Sequence, residues 1–111
     1  MILTMESIAD NIRIQGECHA KYNENTIVLF RYSDYYTTYN DDAKRVSEAT
    51  GCRVASDGDT DSIEFPRLML DVYLPKLVRK GYRIAIIDGK VIYFNSDAVS
   101  AAGWVSYQPS G

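Results

Sequence analysis

Two near-continuous apolar runs, Ile27 to Phe30 and Tyr82 to Ile87, stand out from a chain that otherwise mixes polar and apolar positions. Runs of this kind, rich in β-branched side chains, belong to strands buried on both faces. They predict neighbouring interior strands over 26–32 and 82–88. Ser33-Asp34 breaks the first run and places Asp34 to cap a helix. The stripe Tyr36, Tyr39, Ala43, Val46 and Thr50, at steps of three and four, predicts that helix over 36–49, with Gly51 as its stop. Tyr35 falls off the stripe, at the strand-to-helix tip. It is expected to be exposed, and Tyr36 and Tyr39 to be buried.

The same patterning extends to the rest of the chain. A helix over 5–22 turns Ile8, Ile12, Cys18 or His19, and Tyr22 inward. Gly16 weakens it by about 1 kcal/mol relative to alanine, and a short strand over 12–14 is the alternative. Strands over 52–55 and 63–65 flank a loop over 56–62, giving a hairpin. Pro66 is suited to the first turn of a helix over 67–80, in which Pro75 predicts a kink or a restart. Asp88-Gly89 is a hairpin signal that returns 90–94 antiparallel to the second apolar run. A short helix over 97–102 and an irregular tail over 103–111 complete the chain. The sum is a single α+β domain over 1–111, a small mixed β-sheet flanked by three or four helices.

Composition narrows the chemistry. The 111 residues suffice for one core, and the net charge of −3 gives no global signature of nucleic-acid binding. No apolar run approaches the length of a membrane span, and the start of the chain lacks a secretory pattern, so a cytoplasmic location without membrane contact is expected. Cys18, His19 and Cys52 fall short of a paired metal-ligand pattern, and no cofactor is implied. With one His and no nucleophile elbow, no constellation supports an enzyme or a small-molecule substrate. Asp57, Asp59 and Asp61 alternate without the glycine and glutamate of a calcium loop, and read as a solvated loop that would repel phosphate. Lys76, Arg79, Lys80 and Arg83 cluster at the end of a predicted helix. Their placement suits either the helix C-terminus or a phosphate-facing edge.

Two blocks carry a family resemblance. Phe30-Arg31-Tyr32-Ser33-Asp34-Tyr35-Tyr36-Thr37, a short spacer and Asp41-Asp42-Ala43-Lys44-Arg45 resemble the opening of the MutS mismatch-recognition domain. That family shows Phe-Arg-x-Gly-Asp-Phe-Tyr-Glu and then Asp-Asp-Ala-Lys-Arg. Phe65-Pro66, then Tyr73-Leu74-Pro75-Lys76-Leu77-Val78 and Gly81-Tyr82-Arg83-Ile84-Ala85-Ile86, resemble its second block in order and spacing. The resemblance covers roughly 20–88.

It implies the MutS domain I architecture and a non-enzymatic DNA-interaction module for mismatched or distorted duplex, the family's ATPase lying in a separate C-terminal domain. The alternative is a protein-interaction domain on the same fold, with the Tyr-rich tip contacting a protein partner. In the family an aromatic wedge enters the minor groove and a glutamate bonds the displaced base; unstacking a weakened step is the physical basis. Here Tyr35 stands at the wedge position and Thr37 at the glutamate position. Threonine is shorter and uncharged, so it cannot make the same contact. Ser33 replaces a glycine, Leu68 stands where the family often has histidine, and the hairpin loop is acidic. The candidate DNA contacts are Asp34, Tyr35, Thr37, Arg53, Arg67 and Lys76.

Overall fold

The computed structural model describes residues 5–89, 91–95 and 105–107. In chain order the elements are α1 (Met5–Lys21), β1 (Thr26–Tyr32), β2 (Tyr35–Tyr39), α2 (Asn40–Thr50), β3 (Ala55–Asp57) and β4 (Thr60–Pro66). A 3₁₀ turn (Arg67–Met69), α3 (Leu70–Arg79), β5 (Arg83–Asp88), β6 (Val91–Asn95) and β7 (Val105–Tyr107) follow. The strands form one mixed sheet in the order β3-β4-β2-β1-β5-β6-β7. The α+β class and the mixed sheet expected from the sequence are what the chain adopts.

The two apolar runs lie side by side in the interior of the sheet, β1 parallel to β5 with Ile27 opposite Ile84 and Leu29 opposite Ile86. Each is apolar on both sides because both faces of the sheet are covered. On one face Ile27, Leu29, Ile63, Phe65, Ile84 and Ile86 pack with Ala43 and Val46 of α2 and Leu77 of α3. On the other, Val28, Phe30, Tyr39 and Ile87 pack with Cys18, Ile8 and Ile12 of α1. The expected helix over 5–22 is therefore present, and no strand forms at 12–14. A polar clasp that the periodicity did not reveal joins it to β2. Gln15 Nε2 donates to the Tyr39 carbonyl at 2.9 Å, and the Thr38 hydroxyl donates to Gln15 Oε1 at 3.1 Å.

The expected helix over 36–49 is corrected. Residues 35–39 form β2, antiparallel to β1 with Tyr32 opposite Tyr35, and the helix begins only at Asn40. Tyr-Tyr-Thr-Thr-Tyr is a stretch of aromatic and β-branched residues, which fit a pleated surface better than a helix. Tyr36 and Tyr39 fit a helical stripe by spacing alone; on the strand they point to opposite faces, Tyr36 against Phe65 and Tyr39 against Phe30. Asp34 is accordingly no helix cap. It sits in a two-residue hairpin turn with Ser33, whose φ is 52°, and its carbonyl accepts the Arg67 N–H at 2.7 Å. The helix takes its acidic first turn from Asp41 and Asp42 instead. Gly51 closes it as expected, at φ 82° with its N–H on the Ser47 carbonyl.

The acidic segment is less of a loop than its composition implies. β3 and β4 are joined by a two-residue Gly58-Asp59 turn, with Asp57 opposite Thr60. β3 is a short, fully exposed edge strand, where polar and charged side chains cost nothing and discourage edge pairing. Pro66 ends β4 rather than starting a helix, and the 3₁₀ turn precedes α3. α3 runs through Pro75 without a restart. The ring removes only the N–H that would bond the Asp71 carbonyl, and Asp71 is exposed to water. Of the tail expected to be irregular, Val105–Tyr107 pairs with β6 as an antiparallel strand. The expected helix over 97–102 lies outside the described residues.

Candidate nucleic-acid interface

The β1–β2 hairpin projects Tyr35 at one end of the sheet. Tyr35 is 40% exposed, whereas its neighbours Tyr36 and Thr37 are 6% and 4% exposed. The contrast follows from strand alternation combined with position. Tyr36 points into the core shared with α2 and α3, while Tyr35 stands on the opposite face beyond the cover of α1. Its ring stacks on that of Tyr32, its cross-strand partner, at 6.2 Å between centroids and 29° between planes. On its other side Tyr35 pairs with Pro66 of β4.

Asp34, Tyr35, Pro66, Arg67 and Leu68 line a shallow depression of about 320 Å³. The hydrogen bond from Arg67 N–H to the Asp34 carbonyl ties its two walls together. Leu68 is 86% exposed, a large apolar side chain with little cover among the described residues. Three of the six candidate contacts, Asp34, Tyr35 and Arg67, therefore converge. Arg53, before β3, and Lys76, on α3, are exposed but lie outside the depression.

Thr37 does not belong to the exposed set and is removed from it. Its side chain is buried and its hydroxyl donates to the Ile63 carbonyl at 3.0 Å, so it presents nothing to a ligand. Sequence reasoning in turn missed Tyr32 and Glu64. Tyr32 donates its hydroxyl to the Glu64 carboxylate across β2, and Glu64 is the exposed cross-strand partner of Thr37. Only the strand register brings these residues together, and no local spacing encodes it.

The charges around the tip are mixed. Arg31 pairs with Asp88 at 2.8 Å, at the ends of β1 and β5. Asp61 is held by Lys44 at 3.6 Å and by the Ser56 hydroxyl at 2.7 Å, leaving Asp57 and Asp59 as the exposed acids of the β3–β4 hairpin. Cys18 and Cys52 pack on opposite faces of the sheet. Among the described residues no His, Cys, Asp and Glu side chains gather as three or more potential metal ligands, and no helix is long and apolar enough to cross a membrane.

The fold is an α+β sheet covered on both faces, with an aromatic ring exposed at the hairpin tip at one end of the sheet. The sequence profile of the family described as MutS domain I matches residues 16–103, and the chain belongs to that family. It is 46% identical to the DNA mismatch repair protein MutS of Phocaeicola vulgatus over 65% of this chain and 9% of that protein. It is 43% identical to the protein of the same name from Salinibacter ruber, over 56% of this chain and 7% of that protein. The Flavobacterium psychrophilum protein of that name is 38% identical over 66% of this chain and 9% of its own length. The chain thus spans less than a tenth of the curated relatives it matches.

Proposed function

We propose that this chain is a DNA-interaction domain of mismatch-repair type that binds mismatched or distorted duplex without catalysing a reaction. The observation that carries this reading is Tyr35, an exposed aromatic ring at a hairpin tip, followed directly by the buried Tyr36 and Thr37. A ring so placed can enter a weakened base step, where the cost of unstacking is already reduced. Membership of the MutS domain I family, and relatives named as DNA mismatch repair proteins, support the same reading.

A second reading, a protein-interaction domain, is favoured by one specific observation. Leu68 and the half-exposed Val72 leave apolar surface on the 3₁₀ turn and α3, and such surface suits a protein partner better than a phosphate backbone.

Titration with matched, mismatched and single-stranded DNA at two salt concentrations separates the two. Tighter binding to mismatched than to matched duplex, weakening as salt rises, is expected for the DNA reading. Absence of binding at low salt to all three ligands would favour the protein partner.

The acidic hairpin gives a further expected outcome. Replacing Asp57 and Asp59 with asparagine should strengthen DNA binding most at low ionic strength, where repulsion is least screened. Asp61→Asn should add little, because Asp61 is already engaged by Lys44 and Ser56. An unchanged low-salt titration with the double variant would place this hairpin away from the duplex.

A further inference from the structure

Among the described residues the large apolar side chains left exposed are Tyr35, Leu68 and Val72. Leu68 on the 3₁₀ turn and Val72 on α3 are one helical turn apart, and the exposed Pro75 and Arg79 continue the row at steps of three and four. The inward face of the same helix is spent on the core, through Tyr73 and Leu77. By helical geometry the exposed Lys76 and Lys80 flank the row on one side and the exposed Asp71 on the other. No acid follows between residues 72 and 87 in a chain whose net charge is −3. Arg31, Lys44 and Arg45 are ion-paired. Among the described residues Lys76, Arg79 and Lys80 are not.

We propose that this face docks an acidic amphipathic segment of a protein partner, its apolar side chains on Leu68, Val72 and Pro75 and its carboxylates on Lys76, Arg79 and Lys80. The inference rests on the protein-partner reading above and gives that partner its chemistry, and it leaves Tyr35 free to meet a duplex.

Two observations favour a protein segment over a phosphate backbone. A helix C-terminus by itself favours cations, but it gives no reason for an apolar row on the same exposed face. An amphipathic segment matches both parts, apolar against the row and acidic against its rim. The topology adds the second. α3 starts beside the tip, where the Arg67 N–H meets the Asp34 carbonyl, and runs back to β5. β5 opens with Arg83 opposite Thr26, the first residue of the strand that leads to the tip. The cations therefore gather toward the end of the sheet remote from Tyr35, Arg79 being about 15 Å along the helix from its start.

The probes are three synthetic peptides with leucines at helical spacing, flanked by glutamate in the first, glutamine in the second and lysine in the third. Each is titrated by fluorescence anisotropy. The glutamate peptide should bind roughly tenfold more tightly than the glutamine peptide at low salt, the scale of a few exposed charge pairs, and the lysine peptide most weakly. The gap should narrow as salt rises. Lys76→Glu with Arg79→Glu should reverse the order of the glutamate and lysine peptides. Lys76→Gln with Arg79→Gln, gentler at a helix C-terminus, should bring those two close to parity. Leu68→Ser with Val72→Ser should weaken all three severalfold, at little cost to folding because both positions are exposed. Equal binding of the three peptides by the unaltered protein would overturn the acidic partner while the protein-partner reading stood. Binding of none of them would overturn the inference together with the apolar-surface argument for that reading. An unchanged peptide order in the charge-reversed protein would overturn the inference too, and a loss of duplex affinity in that variant would then assign the cations to phosphate.

Discussion

Replacing Asp42 with alanine is expected to lower stability by roughly 3 kcal/mol, because it strips a buried backbone donor of its acceptor. The Asp42 side chain is fully buried, and its Oδ2 accepts the Val28 N–H at 3.0 Å and lies 2.9 Å from His19 Nε2. Arg45 stands 3.6 Å from Oδ1, too far to hydrogen-bond it, and Glu24 lies 3.9 Å from the far nitrogen of His19. One carboxylate thus links α1, α2 and the centre of β1. For a domain of this size the loss corresponds to a fall in melting temperature of roughly 10–20 °C. Asp42→Asn keeps an acceptor for Val28 and should cost much less.

The same pair of variants isolates a pH effect. Burial pushes the Asp42 carboxyl above its ordinary value, against the pull of the Val28 N–H and then of His19. The folded protein therefore holds this proton over a window in which the unfolded chain has released it. The contribution is full below the ordinary carboxylate value and is lost as pH rises through the raised one. Melting curves across that window should show this decline in the unaltered protein and its absence in Asp42→Asn. Parallel pH profiles for the two would mean that Asp42 does not titrate as its burial implies.

How much of this was legible in the sequence depended on whether period and burial agreed. β1 and β5 could be read because a sheet covered on both faces leaves a continuous apolar run. Gly51 could be read because its φ of 82° is a backbone requirement expressed by residue type. β2 could not be read from spacing, since tyrosines three apart satisfy a helix as well as a strand that buries both faces. The composition of Tyr35 to Tyr39 was the better guide, and Asn40-Asp41-Asp42 the better helix start. At the site, the exposure of Tyr35 was legible but its cause was not: it is a hairpin tip, not a helix start. Thr37 is a candidate by resemblance alone, since it stands at the family's glutamate position, and that resemblance carries no information on its burial in β2. The pairing of Thr37 with Glu64 is a matter of register between strands 27 residues apart in sequence, which no local pattern contains.

Tyr36→Ala and Tyr35→Ala are expected to fail in opposite ways, although the two residues are adjacent. Tyr36 is 6% exposed, with its ring 5.6 Å from that of Phe65 in the core beneath α2 and α3. Truncating it should cost about 3–5 kcal/mol of stability, as for other large-to-small changes at buried aromatic positions. Tyr35 is 40% exposed, stacked on Tyr32 and beside Pro66, so its truncation should cost much less, about 1 kcal/mol of stability. Its effect should fall on binding instead, at roughly 1–3 kcal/mol, the scale of one base–aromatic stack. That corresponds to a loss of about fivefold to 150-fold in affinity for mismatched duplex. Tyr35→Phe preserves the ring and should bind at least as well, since no hydroxyl then enters the base stack. Adding Thr37→Glu to it should not improve mismatch reading. The carboxylate would enter a position that is 4% exposed and already hydrogen-bonded, so the double variant should lose stability instead. Thermal melts and duplex titrations on the same preparations decide the matter. A Tyr35→Ala protein that melts as low as Tyr36→Ala and binds mismatched duplex as tightly as the unaltered chain would make the tip ring a packing residue, and the wedge would have to be abandoned.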